Sequence, residues 1–173
     1  AAEMIGTDKL SKRTNKRLDY DYSPSSFMVY CTVEGIDLHE LGFGNSNLFH
    51  SSETDINKSF YNMNVLGDYS KPSFAVTTPS LHTSVQGCCP EGQHVIEFLT
   101  VANYQHFLDL RLNSRRGYNK RKDEICNTII DVAEEHYIPN LRDHIVFKIT
   151  GSPTTSERYC GAPMGNAYGS SLT

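Results

Sequence analysis

"FMVYCTV", residues Phe27–Val33, is the stretch that decides the fold class of this 173-residue chain. Aromatic and β-branched residues fill it and the turn sequence "EGID" ends it, so it predicts a well-buried β-strand followed by a turn. Further extended segments are expected near residues 45–52, at 72–80, at 94–102 and at 144–150. The segments at 72–80 and 94–102 flank a turn-rich loop, which favours antiparallel pairing between them.

Helical periodicity separates these strands. Apolar residues recur at steps of three and four within residues 54–67, where Gly67 ends the run. A second helical region follows Tyr104 and stops before Pro139, because a residue that precedes proline disfavours the α region. The apolar positions are Ile56, Phe60, Met63 and Leu66 in the first region and Phe107, Leu108, Leu112, Ile125, Ile129, Val132 and His136 in the second. The order of elements predicts an α+β fold, with a mixed, largely antiparallel sheet layered with helices.

The composition indicates one soluble globular domain. Hydrophobic residues make up 38% of the chain and charged residues 21%. We expect a polar, partly flexible segment at residues 1–23, regular structure from near Pro24, and a single domain at residues 24–173. A net charge of −4 gives no general attraction for a polyanion, so no nucleic-acid partner is expected. The chain has neither a long apolar run nor a signal-peptide pattern, so we expect no membrane span and no export signal.

No motif predicts a catalytic or a metal site. The seven histidines include no pair at the i, i+4 spacing, and the five cysteines form no C-x-x-C pair, so reduced thiols are expected. The sequence "GFGNSN" at residues 42–47 has the first two glycines of a dinucleotide fingerprint but lacks the third, and no helical pattern follows it. It is therefore interpreted as a loop.

The segment "GSPTTSERYCGAPMGNAYG", residues 151–169, combines a helix start with a glycine-rich loop. Ser152 before Pro153 fits an N-cap, while Thr154 with Glu157 fits a capping box one frame later; either predicts a short helix near residues 154–160. After it, two glycines bracket residues 166–168, so the backbone can approach another group beside one aromatic ring. A purely structural loop is the alternative.

Four stretches resemble one family of flavoproteins. "SPTTSERYCGAPMGNAYG", residues 152–169, resembles a strand-to-loop passage of the phytoene desaturase and carotenoid isomerase group, which includes retinol saturase. The other stretches resemble the middle portion of the same group, especially its bacterial phytoene dehydrogenase-related members. They are "SPSSFMVYCTVEGIDL" at 23–38, "EFLTVANY" at 97–104 and "IPNLRDHIVFKITGSPTT" at 138–155.

The resemblance implies a function for the whole domain. Proteins of this group have a substrate domain inserted into an FAD domain, as in flavin amine oxidase-like enzymes, and this chain resembles the substrate domain alone. The implied function is to hold an apolar polyene against a flavin, in a desaturase, isomerase or saturase. FAD is expected in the intact enzyme and not on this chain by itself. The implied partners are a hydrophobic polyene and the missing FAD-binding domain of the same chain.

The resemblance also implies site residues. Gly165, Tyr168 and Gly169 would lie near the junction with the cofactor domain. Strand residues would line a polyene-sized cavity, although core packing is the competing interpretation for residues of this type. These are Phe27, Val29, Phe74, Val76, Ile96 and Phe98.

The expected localisation is cytoplasmic, with the intact enzyme peripheral to a membrane because its substrate is stored in lipid. Basic residues of the second helical region would face anionic headgroups, against the alternative of a solvated helix face. These are Arg111, Arg115, Arg116, Lys120, Arg121 and Lys122. The basic run of the first segment, Lys9, Lys12, Arg13, Lys16 and Arg17, lacks an amphipathic face, which favours a solvated segment.

Two other functions remain open from the sequence. One is a stand-alone module that carries a carotenoid or another lipid without catalysis, which predicts a closed apolar pocket. The other is a purely structural interaction domain.

Overall fold

The computed structural model describes residues 5–44, 46–83, 85 and 87–171. Its centre is a five-stranded sheet in the order β2-β3-β4-β1-β5, in which every neighbouring pair is antiparallel. The strands are β1 (Ser25–Glu34), β2 (Leu48–Ser51), β3 (Ser73–Thr77), β4 (Gln93–Ala102) and β5 (Ile145–Gly151). The predicted α+β fold is confirmed, and so is the predicted antiparallel pairing of β3 with β4.

The internal strand β1 defines the two faces of the sheet. Phe27, Val29, Cys31 and Val33 are almost completely buried on one face, whereas the alternate residues of the strand point to the opposite side. Its long ladder with β4 places Val29 opposite Phe98, so the apolar residues of both strands share one face. On its other edge β1 pairs with β5, with a bulge between Thr32 and Val33.

Helices pack on that face of the sheet. The helices of the described residues are α1 (Lys12–Leu18), α2 (Ile56–Tyr61), α3 (Tyr104–Asn113), α4 (Arg115–His136), α5 (Leu141–His144) and α6 (Pro153–Cys160). Those that pack on the sheet are chiefly α3 and α4. The side chains of Asn103 and Ser114 cap the first turns of α3 and α4. Buried apolar residues along α4 and Phe107 of α3 join the core, and the Phe107 ring stacks on Phe27 at 5.7 Å between centroids. As predicted, the long helix ends before Pro139.

The helix predicted at residues 54–67 is confirmed, but its predicted apolar face is wrong. Of the four apolar positions only Met63 is buried, while Ile56 and Leu66 are mainly exposed. A π-helical turn at Asn62–Leu66, directly after α2, breaks the three-and-four spacing and accounts for the exposure of Leu66. Ile56 precedes that turn, and nothing in the structure explains its exposure. Gly67 ends the segment in the left-handed conformation, as expected.

Regular structure begins before Pro24, where the sequence predicted its start. Helix α1 is capped by the Ser11 hydroxyl, which accepts a hydrogen bond from Thr14 N–H at 3.1 Å. No residue of α1 is buried. Its four basic residues are exposed to solvent, in keeping with the solvated interpretation of this basic run.

Candidate functional site

The two faces of the sheet differ in what covers them. Helices pack on one face, and the opposite face, here called the open face, carries the alternate residues of every strand. Cross-strand pairing brings Ala75, Leu99, Met28 and Gly151 into one row across β3, β4, β1 and β5. At the outer strand β5, Ile149 is 56% exposed. The open face therefore carries a row of small and apolar residues and is incompletely covered within the described residues.

The six strand residues predicted to line a substrate cavity lie on the covered face. Each is between 0 and 3% exposed and belongs to the hydrophobic core. They are Phe27, Val29, Phe74, Val76, Ile96 and Phe98. Their side chains pack against the helices and against each other, as in the contact between the Phe74 and Phe98 rings at 5.9 Å. This placement favours the packing interpretation, because a core residue presents no surface to a ligand.

The C-terminal segment runs back along the residues that lead into β1. Gly169 O accepts a hydrogen bond from Ser23 N–H at 2.9 Å, and Ala167 N–H donates to Pro24 O at 3.1 Å. A further bond joins Ser171 N–H to Asp21 O at 2.7 Å. The incoming and outgoing passages of the domain therefore form a two-stranded ribbon at one end of the sheet.

The predicted helix before this ribbon is confirmed as α6, and Gly165 fixes how the chain leaves it. Ser152 is the N-cap with Pro153 at the first helical position, and Gly161 ends the helix in the left-handed conformation. Gly165 is buried with φ of 59°, and a Cβ atom on it would lie 2.2 Å from the carbonyl oxygen of Pro153. The backbone at Gly165 therefore lies in close contact with α6 of the same chain.

Tyr168 and Gly169 occupy the exposed part of the ribbon. The Tyr168 side chain is 83% exposed, and a Cβ atom on Gly169 would meet nothing within 4 Å. The Tyr168 backbone is held because its N–H donates to the Ser23 hydroxyl at 2.9 Å. An ordered backbone with an exposed ring is suited to contact with another surface.

A small apolar cavity lies between this ribbon and the open face. Its volume is about 260 Å³. Leu99 and Val101 come from the open side of β4, Phe60 from α2, and Tyr168 from the ribbon. The other lining residues are Pro24, Ser25, Ser26, Thr100 and Ala167. The cavity brings one predicted site residue, Tyr168, together with three apolar residues that the sequence analysis did not select as site residues.

The cavity residues could have been found from the alternation of β4. Leu99 and Val101 alternate with Phe98 and Thr100 in a strand that is apolar on both faces. A strand with two apolar faces indicates burial on both sides, yet the described helices cover only one.

Polar groups interrupt the apolar open face near its centre. Glu97 lies beside Tyr30 in the register and accepts a hydrogen bond from the Thr77 hydroxyl at 3.2 Å. Burial, followed by the nearby Glu97 carboxylate, raises the pKa of Tyr30. Both effects keep the phenol neutral, so it is available as a hydrogen-bond donor on this face.

Two histidines that are far apart in sequence meet at the edge of the sheet. The rings of His50 on β2 and His136 on α4 stack at 5.6 Å between centroids. His50 Nδ1 lies 2.8 Å from the Tyr137 hydroxyl, and its Nε2 lies 2.8 Å from the Ser52 hydroxyl. Burial, followed by His136, lowers the pKa of His50. The sequence analysis missed this pair because it considered only local spacing along a helix.

The basic residues considered for lipid contact separate into different environments. Lys120 and Arg121 both form ion pairs with Glu124. Arg121 also lies over the Tyr69 ring, 5.5 Å from its centroid, and donates to Gly67 O. The remaining basic residues point elsewhere, and three of them line a separate cleft that is described below. These three are Arg111, Arg115 and Lys122.

Within the described residues, no group of three or more histidine, cysteine or carboxylate side chains is arranged to hold a metal ion. No helix in the described ranges is both long and apolar enough to span a bilayer. All five cysteines are free, and burial, followed by the neighbouring Cys126, raises the pKa of Cys31 to about 12. A thiol with such a pKa is unreactive.

The described residues do not form a cradle for the pyrophosphate of a dinucleotide. Such a cradle needs a glycine-rich turn between a parallel strand and a helix. Here all described strand pairs are antiparallel. The glycines at residues 42–44 precede strand β2 rather than a helix, as the loop interpretation predicted. These residues therefore do not fit FAD as a self-contained binding site.

Comparison with known proteins gives partial matches. No protein-family model matches the chain. The all-trans-retinol 13,14-reductase of Danio rerio is 25% identical over 162 residues, which cover 86% of this chain and 25% of that protein. The chloroplastic prolycopene isomerase of Daucus carota is 31% identical over 80 residues, which cover 46% of this chain and 12% of the isomerase. A prolycopene isomerase of an Oncidium hybrid cultivar is 30% identical over 80 residues, or 46% of this chain and 13% of the isomerase.

The chain therefore matches a part of a retinol reductase and a part of prolycopene isomerases. The resemblance to the group that contains retinol saturase and the carotenoid isomerases is thereby confirmed, as a match to a fragment of those proteins. The matched region spans a quarter of the length of the retinol reductase and about an eighth of the isomerases. The similarity thus concerns one section of much longer proteins.

Proposed function

We propose that this chain is the substrate-binding domain of an FAD-dependent oxidoreductase that acts on a carotenoid or retinoid. In this proposal the open face of the sheet forms one wall of the substrate site. The FAD-binding domain of the same protein forms the opposite wall and supplies the flavin, which when bound provides hydride chemistry. The residues of this chain bind the apolar substrate, orient it and exclude water.

The observation that carries the proposal is the apolar open face that leads into the cavity beside Tyr168. Leu99 belongs both to the row across the sheet and to the cavity lining. An elongated apolar ligand lying across the strands would follow Ala75, Leu99 and Met28 and reach the cavity at the end of β1. Large exposed apolar surfaces on a folded domain mark sites of interaction.

The paired ribbon supports an inserted domain. Insertion of one domain into another requires that the incoming and outgoing chain lie close together. Here Ser23 and Gly169 are joined by a backbone hydrogen bond. Both passages would therefore lead to the same cofactor domain, and Tyr168 and Gly169 would be positioned at the junction to contact the flavin.

A stand-alone carrier is the weaker alternative. A carrier needs an enclosed pocket for its whole ligand, and ligand pockets usually measure roughly 300–1,000 Å³. The apolar cavity of about 260 Å³ falls below this range and opens onto an uncovered sheet face. A second wall supplied by another domain would enlarge it, which favours the oxidoreductase domain over the carrier.

The proposal places the intact enzyme at a membrane surface, because its substrate is stored in lipid. Exposed apolar residues next to the cavity support this placement. Phe60 lines the cavity, and Ile56, Tyr61 and Leu66 of the same segment are largely exposed. Residues 56–66 contain no acidic side chain, which suits contact with an anionic membrane.

Photocrosslinking tests the proposal directly. All-trans-retinol that carries a photoactivatable group would be irradiated with the purified chain, and the labelled residues identified by mass spectrometry. We expect saturable labelling at Leu99, Val101 and Tyr168, reduced about tenfold by Leu99→Asp because a buried carboxylate opposes an apolar ligand. Val146→Asp is the matched control, since Val146 is an exposed strand residue outside the cavity. Labelling that is unsaturable, or that falls outside the open face and the cavity, would overturn the proposal.

A further inference from the structure

A second cleft of about 430 Å³ lies at the free edge of β5, between α3, α4 and α6. Four basic residues from three helices line it, and no carboxylate does. It shares no lining residue with the apolar cavity. The basic residues are Arg111, Arg115, Lys122 and Arg158.

The four cations of this cleft differ from the five described basic residues that form ion pairs. Ion pairs engage Lys58, Lys71, Lys120, Arg121 and Arg142 with nearby carboxylates. In the described part of the chain, none of the four cleft cations has a carboxylate oxygen within 4 Å. Four like charges at one cleft repel each other unless an anion lies between them. This arrangement is unexpected in a chain whose net charge is −4.

Hydroxyl groups form the floor of the cleft. The Tyr118 hydroxyl lies 2.5 Å from the Ser152 hydroxyl oxygen and 3.0 Å from that of Thr154. Thr155 Oγ1 accepts a hydrogen bond from Ser152 N–H at 3.1 Å, so the hydroxyl cluster is fixed to the first turn of α6. Tyr118, Thr154 and Thr155 all line the cleft. A rigid row of hydroxyls beside several cations is suited to the oxygen atoms of an anion.

The electrostatic environment of Tyr118 is in line with this arrangement. Burial would raise the pKa of Tyr118, but hydrogen bonds from the hydroxyls of Ser152, Thr154 and Thr155, and the charge of Lys122, lower it overall. Lys122 Nζ lies over the Tyr118 ring, 5.4 Å from its centroid. The same groups that favour a negative charge on Tyr118 would favour an anion bound next to it.

We propose that this cleft binds a phosphate monoester or diphosphate group. Four positive charges balance a group with two or more negative charges better than a single carboxylate. Arginine guanidinium groups bind phosphate oxygens in pairs, and three of the four cations are arginines. The exposed Tyr159 ring at the rim would contact the organic part of such a ligand.

Titration with inorganic pyrophosphate, followed by calorimetry, tests the proposed phosphate site. We expect saturable binding that weakens with added salt. Arg115→Ala and Arg158→Ala would each weaken it about tenfold, because each removes a charge-assisted hydrogen bond. The matched control is Arg116→Ala, since Arg116 is an equally exposed neighbour on α4 that does not line the cleft. It should change binding less than twofold.

Vesicles distinguish the source of the phosphate group. Binding of the chain to phosphatidylcholine vesicles that contain phosphatidic acid would be compared with binding to phosphatidylcholine alone. If the chain binds pyrophosphate tightly but binds both kinds of vesicle equally, the ligand is a soluble phosphate compound. If the chain binds vesicles with phosphatidic acid more tightly, and this binding depends on Arg115 and Arg158, the ligand is a lipid headgroup. The proposal is overturned if neither probe binds, or if Arg116→Ala weakens binding as much as Arg115→Ala. Far-UV circular dichroism verifies that each variant is folded.

Discussion

The covered and open faces of the sheet are built from the same strands, but helices pack on the covered face and leave the open face largely uncovered. In β4, Phe98 is completely buried against the helices, whereas its neighbour Leu99 points to the open face and lines the cavity. Both residues are large and apolar. The difference shows that residue type alone does not separate a packing role from a binding role in a strand that is apolar on both sides.

The covered face is fully packed within the described residues. Its aromatic and aliphatic residues form one continuous cluster with α3 and α4. On the open face, large apolar side chains stay exposed in the folded domain: Phe49 is 79% exposed and Phe147 is 59% exposed. Apolar residues that are left exposed across several strands indicate a surface that is completed by something else.

The largest effect should follow from truncation of the covered face. Phe98→Ala removes a fully buried ring and leaves a cavity, so we expect the free energy of unfolding to fall by about 3–5 kcal/mol. Leu99→Ala, on the adjacent half-buried position, should lower it by no more than about 1.5 kcal/mol. Chemical denaturation of both variants measures the two changes.

This pair also tests the assignment of the two faces. If Leu99→Ala destabilised the chain as much as Phe98→Ala, the open face would be part of the core. In that case the open face would not be a free wall for a substrate.

Much of the fold could be predicted because local patterns agreed with the tertiary structure. The aromatic and β-branched residues at 27–33, the turn before β4 and the cap at Ser152 each accompany the element that they predicted. The exposure of Leu66 could not be predicted, since it follows from a π-helical turn at Asn62–Leu66, within which Met63 is buried and its sulfur accepts a hydrogen bond from the Thr100 hydroxyl. Residue spacing along the chain contains no sign of that turn.

The site was less predictable than the fold. Tyr168 was selected from its glycine-flanked loop, and the structure places it at the cavity. Leu99 and Val101 were not selected, because which face of a strand is covered depends on where the helices pack. The stacking of His50 on His136 joins residues that are 86 positions apart, so only the folded chain reveals it.

A smaller effect should follow from changes in the ribbon that closes the open face at one end. Gly165→Ala places a side chain at a positive φ and against the Pro153 carbonyl, so we expect a loss of about 2–3 kcal/mol in unfolding free energy. Gly169→Ala is the matched control, because its φ is also positive but its Cβ atom has open space. It should cost about 1 kcal/mol. Thermal and chemical unfolding would measure both, and equal losses would contradict the close contact of Gly165 with α6.

The smallest effect concerns the histidine pair at the edge of the covered face. Because burial and then His136 lower the pKa of His50 in the folded chain, the unfolded chain binds its proton more readily. The stability contributed by neutral His50 is therefore complete above about pH 6.5, the ordinary histidine pKa, and is lost as the pH falls below it. His50→Gln should reduce the loss of unfolding free energy between pH 7 and pH 5, measured by urea denaturation at each pH.

The surroundings of His50 make this test specific. The groups that face it are His136 from α4, Tyr137 directly after α4, Phe74 from β3 and Ser52 directly after β2, and none of them is a carboxylate. Among the described residues, no negatively charged group in contact with His50 therefore compensates the imidazolium when it forms. His94→Gln is the control, since His94 lies on β4 opposite Val33 and is not among the groups that contact His50, so its substitution should leave the contribution of His50 in place. A His50→Gln profile identical to that of the unmodified chain would mean that β2 opens and exposes His50 before the histidine titrates.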